Sequence, residues 1–87
     1  MGEDGLVKAK IYVTLKEGIL DPQGQAIQHS IEALGYDGFE NIRVGKYLEM
    51  KISDRSIESA QRDLKEVCEK LLANTVIEEY RFEIVDS

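Results

Sequence analysis

The sequence contains very little cysteine, proline, histidine or tryptophan. Its 87 residues include one Cys, one Pro, one His and no Trp. A single Cys excludes an internal disulfide framework and is typical of a protein from a reducing cytoplasm. No apolar run approaches the roughly 18 residues that a membrane span requires, and no segment resembles a signal peptide. We therefore expect one small cytoplasmic domain.

The charge balance makes nucleic acid and anionic membranes poor default partners, because the formal net charge is −6. A chain of this length buries roughly 60% of the surface that it exposes when unfolded. A monomer of this size is therefore marginally stable, and association with other chains is a simple remedy. The composition favours a protein that binds other proteins.

Catalytic and metal-binding motifs are missing from the sequence. Cys68 and His29 have no second Cys or His with which to form a zinc site. Cys68 falls on the apolar stripe of a predicted helix, which favours inert packing, and His29 falls on a polar helical face. Neither a nucleophile elbow nor a glycine-rich phosphate loop occurs. We therefore expect no catalytic residue, metal or cofactor on this chain.

Strict alternation from Leu6 predicts a half-buried first strand. Its inward residues are Val7, Ala9, Ile11, Val13 and Leu15. A helix is predicted from Pro22 to Leu34, with Asp21 before it as a cap. Its inward stripe consists of Ile27, Ile31 and Leu34. Gly35 is well placed to end this helix in the left-handed conformation.

Alternation between Asn41 and Ile52 predicts more strand but leaves its shape open. A three-residue hairpin loop at Gly45-Lys46-Tyr47 keeps the apolar residues on one face, and so does an unbroken strand bent at Gly45. A hairpin can close within one chain, whereas a long strand invites exchange between two chains.

A second helix is predicted from Ser56 to Ala73, with Ser56 as its N-cap and Asn74 as a left-handed C-cap. A last strand follows, in which apolar residues again alternate with charged ones. The order β-α-β(β)-α-β, with antiparallel strands under two helices, predicts an α+β sandwich of ferredoxin-like type. Residues 1–5 are predicted to be a disordered extension, and residues 6–87 to form a single domain.

Three blocks of the sequence together resemble one known family. They are KAKIYVTLKEGILDPQGQAI (Lys8–Ile27), NIRVGKYLEMKI (Asn41–Ile52) and CEKLLANTVIEEYRFEI (Cys68–Ile84). Their order and spacing are similar to those of PurS, the small subunit of phosphoribosylformylglycinamidine synthase, from residue 7 to residue 85. The resemblance implies a non-catalytic subunit of de novo purine synthesis. It also implies a segment-exchanged homodimer, or a dimer of dimers, that bridges a glutaminase subunit and a large synthetase subunit.

The same resemblance implies the reaction of the assembled enzyme. The complex uses ATP, Mg²⁺ and ammonia from glutamine to convert formylglycinamide ribonucleotide to formylglycinamidine ribonucleotide, while PurS itself holds no cofactor.

An alternative function is a small-ligand-binding regulatory module of ferredoxin-like type. RNA binding is disfavoured, because Glu49 stands where a base-stacking aromatic residue is needed and the chain is acidic.

Three short stretches are candidates for an interface. They are Asp21-Pro22-Gln23-Gly24, Arg43 with Gly45-Lys46, and Asn74-Thr75. A Gly inside a helix costs about 1 kcal/mol relative to Ala. The bare turn at Gly24 is thus either a tolerated helix start, a contact with a partner or an anion site. Arg43 and Lys46 are either solvated or docked on acidic surface of a larger subunit.

Overall fold

The computed structural model describes residues 6–53 and 56–86, so the predicted disordered extension at residues 1–5 lies outside the described residues. The elements in chain order are β1 (Leu6–Leu15), α1 (Pro22–Ala33), β2 (Gly45–Ser53), α2 (Ile57–Val67) with a π-helical continuation (Cys68–Leu72), and β3 (Glu78–Asp86). This order confirms the predicted α+β class. Within the described ranges, no helix is long and apolar enough to cross a membrane.

A three-stranded antiparallel sheet forms the centre of the molecule, with β1 between β2 and β3. The register places Ile11 opposite Leu48 on one side and opposite Phe82 on the other. Because side chains alternate along a strand, these three apolar residues share one face, the inner face. The neighbouring positions of all three strands form the outer face.

The core lies between the inner face and α2. Ile11 and Cys68 are fully buried, and Leu64 of α2 is 2% exposed. Around this centre lie apolar residues of the two outer strands that are only half-buried. They are Leu48, Met50 and Ile52 of β2 and Tyr80, Phe82 and Ile84 of β3. The chain's own helix therefore covers the middle of the sheet more completely than its margins.

Helix α1 does not pack on this sheet, which corrects the prediction of two helices above it. The core cluster contains no residue of α1, and on the predicted inward stripe Ile27 is 43% and Leu34 is 75% exposed. The segment after α1 runs back until Ile42 lies against Gly24. We call residues 21–44 the arm. The stripe has the predicted spacing, but its own chain does not cover it.

Strand β2 is simpler and shorter than predicted. No hairpin forms at residues 45–47; β2 is one strand that begins at Gly45, and residues 41–44 lie outside it. A Cβ on Gly45 would lie 2.3 Å from the carbonyl oxygen of Val13. Gly45 therefore allows the chain to leave the arm and join β1 at close range.

The helix ends confirm two predicted caps and correct a third. Gly35 has φ +95° and ends α1 in the left-handed conformation, and the hydroxyl of Ser56 accepts from the amide of Ser59 at 3.1 Å. The left-handed cap predicted at Asn74 is wrong. The π-helical turn closes with a bond from the amide of Ala73 to the carbonyl of Cys68 at 2.9 Å, and Ala73 is already extended.

The carboxylate of Asp21 joins the two ends of the arm. It accepts from the amide of Gly24 at 2.9 Å and from the amide of Val44 at 2.9 Å. The bond from Val44, then that from Gly24, lowers the pKa of this carboxyl below its ordinary value. A Cβ on Gly24 would lie 2.1 Å from the carbonyl oxygen of Ile42. Gly24 is therefore required by a close approach within the arm itself.

Gly24→Ala is expected to destabilise the protein, although helix propensity alone predicts a gain of about 1 kcal/mol. The added methyl group would clash with the carbonyl of Ile42, which is backbone and cannot rotate away. We expect a loss of roughly 1–3 kcal/mol in the free energy of unfolding, measured in urea. Gln25→Ala, at the next and exposed position of the helix, is the control and should change it by less than about 0.5 kcal/mol. A stabilised Gly24→Ala protein would contradict the observed packing.

Asp21→Asn is expected to destabilise the protein in a pH-dependent way. The ionised carboxylate accepts both amides, whereas an Asn side chain has one oxygen for the two bonds. Because the folded-state pKa lies below the ordinary 3.8, this stabilisation is fully present well above pH 3.8 and is lost as the pH falls through the folded-state pKa. The difference in urea midpoint between wild type and variant should therefore be largest near neutral pH and shrink below pH 3.8. An equal difference near neutral pH and below pH 3.8 would show that the charge of Asp21 does not contribute to stability.

Candidate interface site

The three candidate stretches lie together, although they are distant in sequence. The register places Thr14, near the end of β1, opposite Gly45 of β2 and Glu79 of β3. Both ends of the arm and the turn at Asn74-Thr75 therefore meet at the same end of the sheet. We call this region the arm end. Its residues come from all three stretches that the sequence singled out.

A cleft at the arm end contains residues from several elements. Its volume is 280 Å³, and its lining includes Gln23 of the arm, Lys46 of β2 and Glu78 of β3. A second cleft, of 510 Å³, lies beside the turn after β1 and is lined by Glu17 and Arg43 among others. The arm end thus presents both signs of charge around two open depressions.

The two cations are anchored by backbone carbonyl groups of their own chain. The guanidinium of Arg43 donates to the carbonyl of Leu15, and the ammonium of Lys46 donates to the carbonyl of Leu72 at 2.9 Å. Leu72 ends the π-helical segment, where a cation is favoured by the helix dipole. Both side chains are nevertheless exposed. The structure therefore holds two positive charges in place while they face solvent.

At Gly24 and Asn74 the structure supplies local reasons for the residue types. Asp21 already accepts from the Gly24 amide, so a negative charge occupies the position that an anion would take. The side chain of Asn74 accepts from the amide of Val76 at 3.2 Å, and its own amide donates to Glu78 at 2.6 Å. Asn74 thus builds the turn before β3. Pro22, Gln23 and Thr75 are exposed at the same end of the molecule.

An ordered network on the outer face of the sheet was missed by the sequence reasoning. The rings of Tyr12 and Tyr47 lie 5.0 Å apart, and the guanidinium of Arg81 lies 3.9 Å from the centroid of the Tyr12 ring. Tyr47 donates to Glu49 at 2.5 Å, and Lys8 pairs with Glu49 at 3.2 Å. The available signal was two tyrosines at outward positions of neighbouring strands.

Within this network, the hydrogen bond between Tyr47 and Glu49 shifts the pKa of both groups. The hydrogen bond to Glu49 raises the pKa of Tyr47 to about 12. The bonds from Tyr47 and then from Lys8 lower the pKa of Glu49. Tyr47 therefore remains a donor and Glu49 an acceptor, and the outer face is a structured polar surface.

Cys68 and His29 were weighed above as metal-binding residues, and the structure places one in the core and the other on the surface. Cys68 is fully buried, and burial, with a smaller effect of Glu69, raises the pKa of its thiol. The predicted burial of Cys68 is confirmed, and its thiol packs in the core. His29 is exposed on α1. Among the described residues, no group of three or more His, Cys, Asp or Glu side chains is placed to hold a metal ion.

Several curated proteins are similar to this chain over most of its length. The PurS subunit of phosphoribosylformylglycinamidine synthase from Bacillus subtilis is 51% identical over 83 residues, which is 91% of this chain and 93% of that protein. The corresponding subunit from Synechocystis is 48% identical over 75 residues, which is 86% of this chain and 75% of that protein.

Solved structures give the same match in three dimensions. The C2 crystal form of Bacillus subtilis PurS is 50% identical, with a TM-score of 0.78 over 92% of this chain and 99% of that chain. A chain in the structure of PurLQS from Thermotoga maritima is 29% identical, with a TM-score of 0.83 over 92% and 98% of the two chains. The family model for PurS, phosphoribosylformylglycinamidine (FGAM) synthase, matches residues 8–86. This chain therefore belongs to the PurS family of phosphoribosylformylglycinamidine synthase subunits.

Proposed function

We propose that this chain is the bridging subunit of a cytoplasmic phosphoribosylformylglycinamidine synthase complex. It joins a glutaminase subunit to a large synthetase subunit and supports the glutamine-dependent formation of formylglycinamidine ribonucleotide. ATP and Mg²⁺ are used by the assembled complex, and this chain binds neither. Its contribution is the arrangement of the other subunits, so that ammonia released from glutamine reaches the synthetase.

The observation that carries this proposal is the match to the PurLQS chain. The two chains superpose with a TM-score of 0.83 over nearly their whole lengths. The surface of the chain also presents two ordered regions, the arm end and the outer face.

The homodimer that we propose is built by exchange of arms. Ile27 and Leu34 expose apolar surface along α1, and Tyr36 and Phe39 do so on the returning segment. Several large exposed apolar side chains in one segment are typical of an interface in a soluble protein. The half-buried residues at the margins of the inner face are also apolar, so they can pack against such a surface. The arm of one copy, laid on the inner face of the other, covers both surfaces at once.

The arm end is the surface that we assign to the larger subunits. Arg43 and Lys46 place two positive charges there, beside the carboxylates of Glu17 and Glu78, and the carbonyl contacts hold both cations in position. An acidic group of a partner that meets these two cations would be attracted to them. This interaction is expected to weaken as salt is added.

Reconstitution tests the bridging function directly. The glutaminase and synthetase subunits are supplied with formylglycinamide ribonucleotide, ATP, Mg²⁺ and glutamine, with and without this chain. Glutamine-driven turnover should require the chain, whereas ammonia-driven turnover, which measures the synthetase alone, should not. Glutamine-driven turnover that is independent of the chain, while ammonia-driven turnover is normal, would disprove the proposal.

Binding to the larger subunits, measured at several salt concentrations, tests the arm end with a matched pair of variants. Arg43→Gln with Lys46→Gln removes two charges but keeps a hydrogen-bond donor at each position. We expect this protein to bind the larger subunits roughly threefold to tenfold more weakly at low salt, with a smaller salt dependence. Arg62→Gln with Lys65→Gln, on the exposed face of α2, removes the same charge elsewhere and should leave binding unchanged. Equal effects of the two pairs would refute the assignment of the arm end.

A further inference from the structure

The most exposed large apolar side chains outside the arm lie at the arm end. Among the described residues, Leu71 is 76% and Val76 is 79% exposed, and Leu20 follows at 65%. Leu20 directly precedes the arm, and the other two stand on either side of the Asn74-Thr75 stretch. Large exposed apolar side chains that gather in one region are typical of a surface that another protein covers.

The π-helical turn at the end of α2 moves Leu71 out of the core. A core stripe on a regular α-helix alternates steps of three and four residues, because one turn contains 3.6 residues. The buried residues of this helix are already four apart: Ala60, Leu64 and Cys68. A regular helix would therefore take a step of three next, to Leu71. Because the bond from the Ala73 amide to the Cys68 carbonyl spans five residues, the turn is wider, and Leu72 packs against the core instead.

Side chains from the two neighbouring strands hold this turn in place. Lys46 of β2 donates to the carbonyl of Leu72 at 2.9 Å, and Tyr80 of β3 donates to the carboxylate of Glu69 at 2.7 Å. Turns of this kind are rare in proteins and frequently occur at functional sites. Here the turn holds the side chain of Leu71 in solvent, where it adds nothing to the core of its own chain.

Val76 is presented by an ordered segment as well. The side chain of Asn74 accepts from the amide of Val76 at 3.2 Å. The carbonyl of Asn74 accepts from the amides of Ile77 at 3.0 Å and Glu78 at 2.7 Å. The backbone that carries Val76 is therefore fixed before any partner binds, so that little conformational entropy is lost on binding.

We propose that Leu71 and Val76 form an apolar anchor at the arm end, which inserts into an apolar depression on one of the larger subunits. This inference rests on the function proposed above. The anchor belongs neither to the arm nor to the core cluster of the inner face, which are the surfaces that the exchange of arms covers. Lys46 is bonded to the residue next to Leu71, so the depression is expected to carry a carboxylate at its border.

Removal of the two apolar side chains tests the anchor through the strength of binding to each larger subunit. Leu71→Ser with Val76→Ser should weaken binding to one of them at least about tenfold. The loss should be similar at low and high salt, because burial of apolar surface is not screened. Ile57→Ser with Val85→Ser also removes two exposed aliphatic side chains, of which Val85 lies opposite Lys8 at the other end of the sheet. This control should change binding less than about twofold.

Stability measurements test the exchange of Leu71 for Leu72 in the core. Leu71→Ser should leave the urea midpoint of unfolding nearly unchanged, whereas Leu72→Ser should lower it, because Leu72 packs against the core. The opposite order would show that Leu71 belongs to the core and would overturn the proposal. Circular dichroism verifies that every variant is folded. Val76→Ser alone leaves α2 intact and should still weaken binding at least about threefold.

Wild-type binding separates this inference from the function on which it rests. If the wild-type chain binds a larger subunit and the variant of Leu71 and Val76 binds equally well, the anchor is wrong and the bridging function stands. If the wild-type chain binds neither larger subunit, both are wrong. A variant that sediments differently from wild type when alone would show that the anchor joins copies of this chain, which also overturns the proposal.

Discussion

The carboxylate of Asp21 holds the two ends of the arm together. It accepts from the first turn of α1 and from Val44, just before β2 begins, so it closes a loop of chain at its base. Gly24 allows the backbone at Ile42 to approach the helix, because a side chain there would collide with it. Arg43 adds a contact to the end of β1. Helix and returning segment are thus held as one unit that leaves the sheet from one end.

This closed arm leaves apolar surface uncovered within its own chain. In a sandwich of this type, a first helix would normally cover the sheet beside the second. Here α1 is committed to its own returning segment, and its apolar stripe is exposed while the margins of the inner face are half-covered. A small domain with both surfaces exposed is stabilised by association that buries them. A PurS-family subunit contributes surfaces to an enzyme, and this arrangement supplies several of them on a short chain.

Much of the fold could be predicted, because local patterns control it. The alternation of β1 correctly predicted four buried residues, Val7, Ala9, Ile11 and Val13, whereas Leu15 is half-buried. Asp21, Pro22 and Gly35 correctly bounded α1, since caps depend on residues close in sequence. The left-handed cap expected at Asn74 failed because α2 ends in a π-helical turn, for which no sequence signal was available. The prediction of where α1 packs was wrong for a different reason. A stripe shows that a face is apolar, but it does not specify the chain that covers it.

The candidate site was predictable in part. Gly24 and Gly45 were recognised as unusual, yet the backbone atoms that exclude a side chain belong to Ile42 and Val13, and such contacts cannot be seen before the chain is folded. The convergence of three stretches at the arm end likewise follows from the sheet register. The outer-face network of Tyr12 and Tyr47 depends on the same register.

The proposed exchange places the arm of one copy on the inner face of another. Isotope-filtered nuclear Overhauser spectra of a mixture of ¹³C-labelled and unlabelled chains measure this contact directly. Exchange predicts signals between methyl groups of Ile27 and Leu34 on one chain and protons of Met50 and Phe82 on the other. Contacts of the arm residues that arise only within one chain, or no contact between the arm and any inner face, would contradict it.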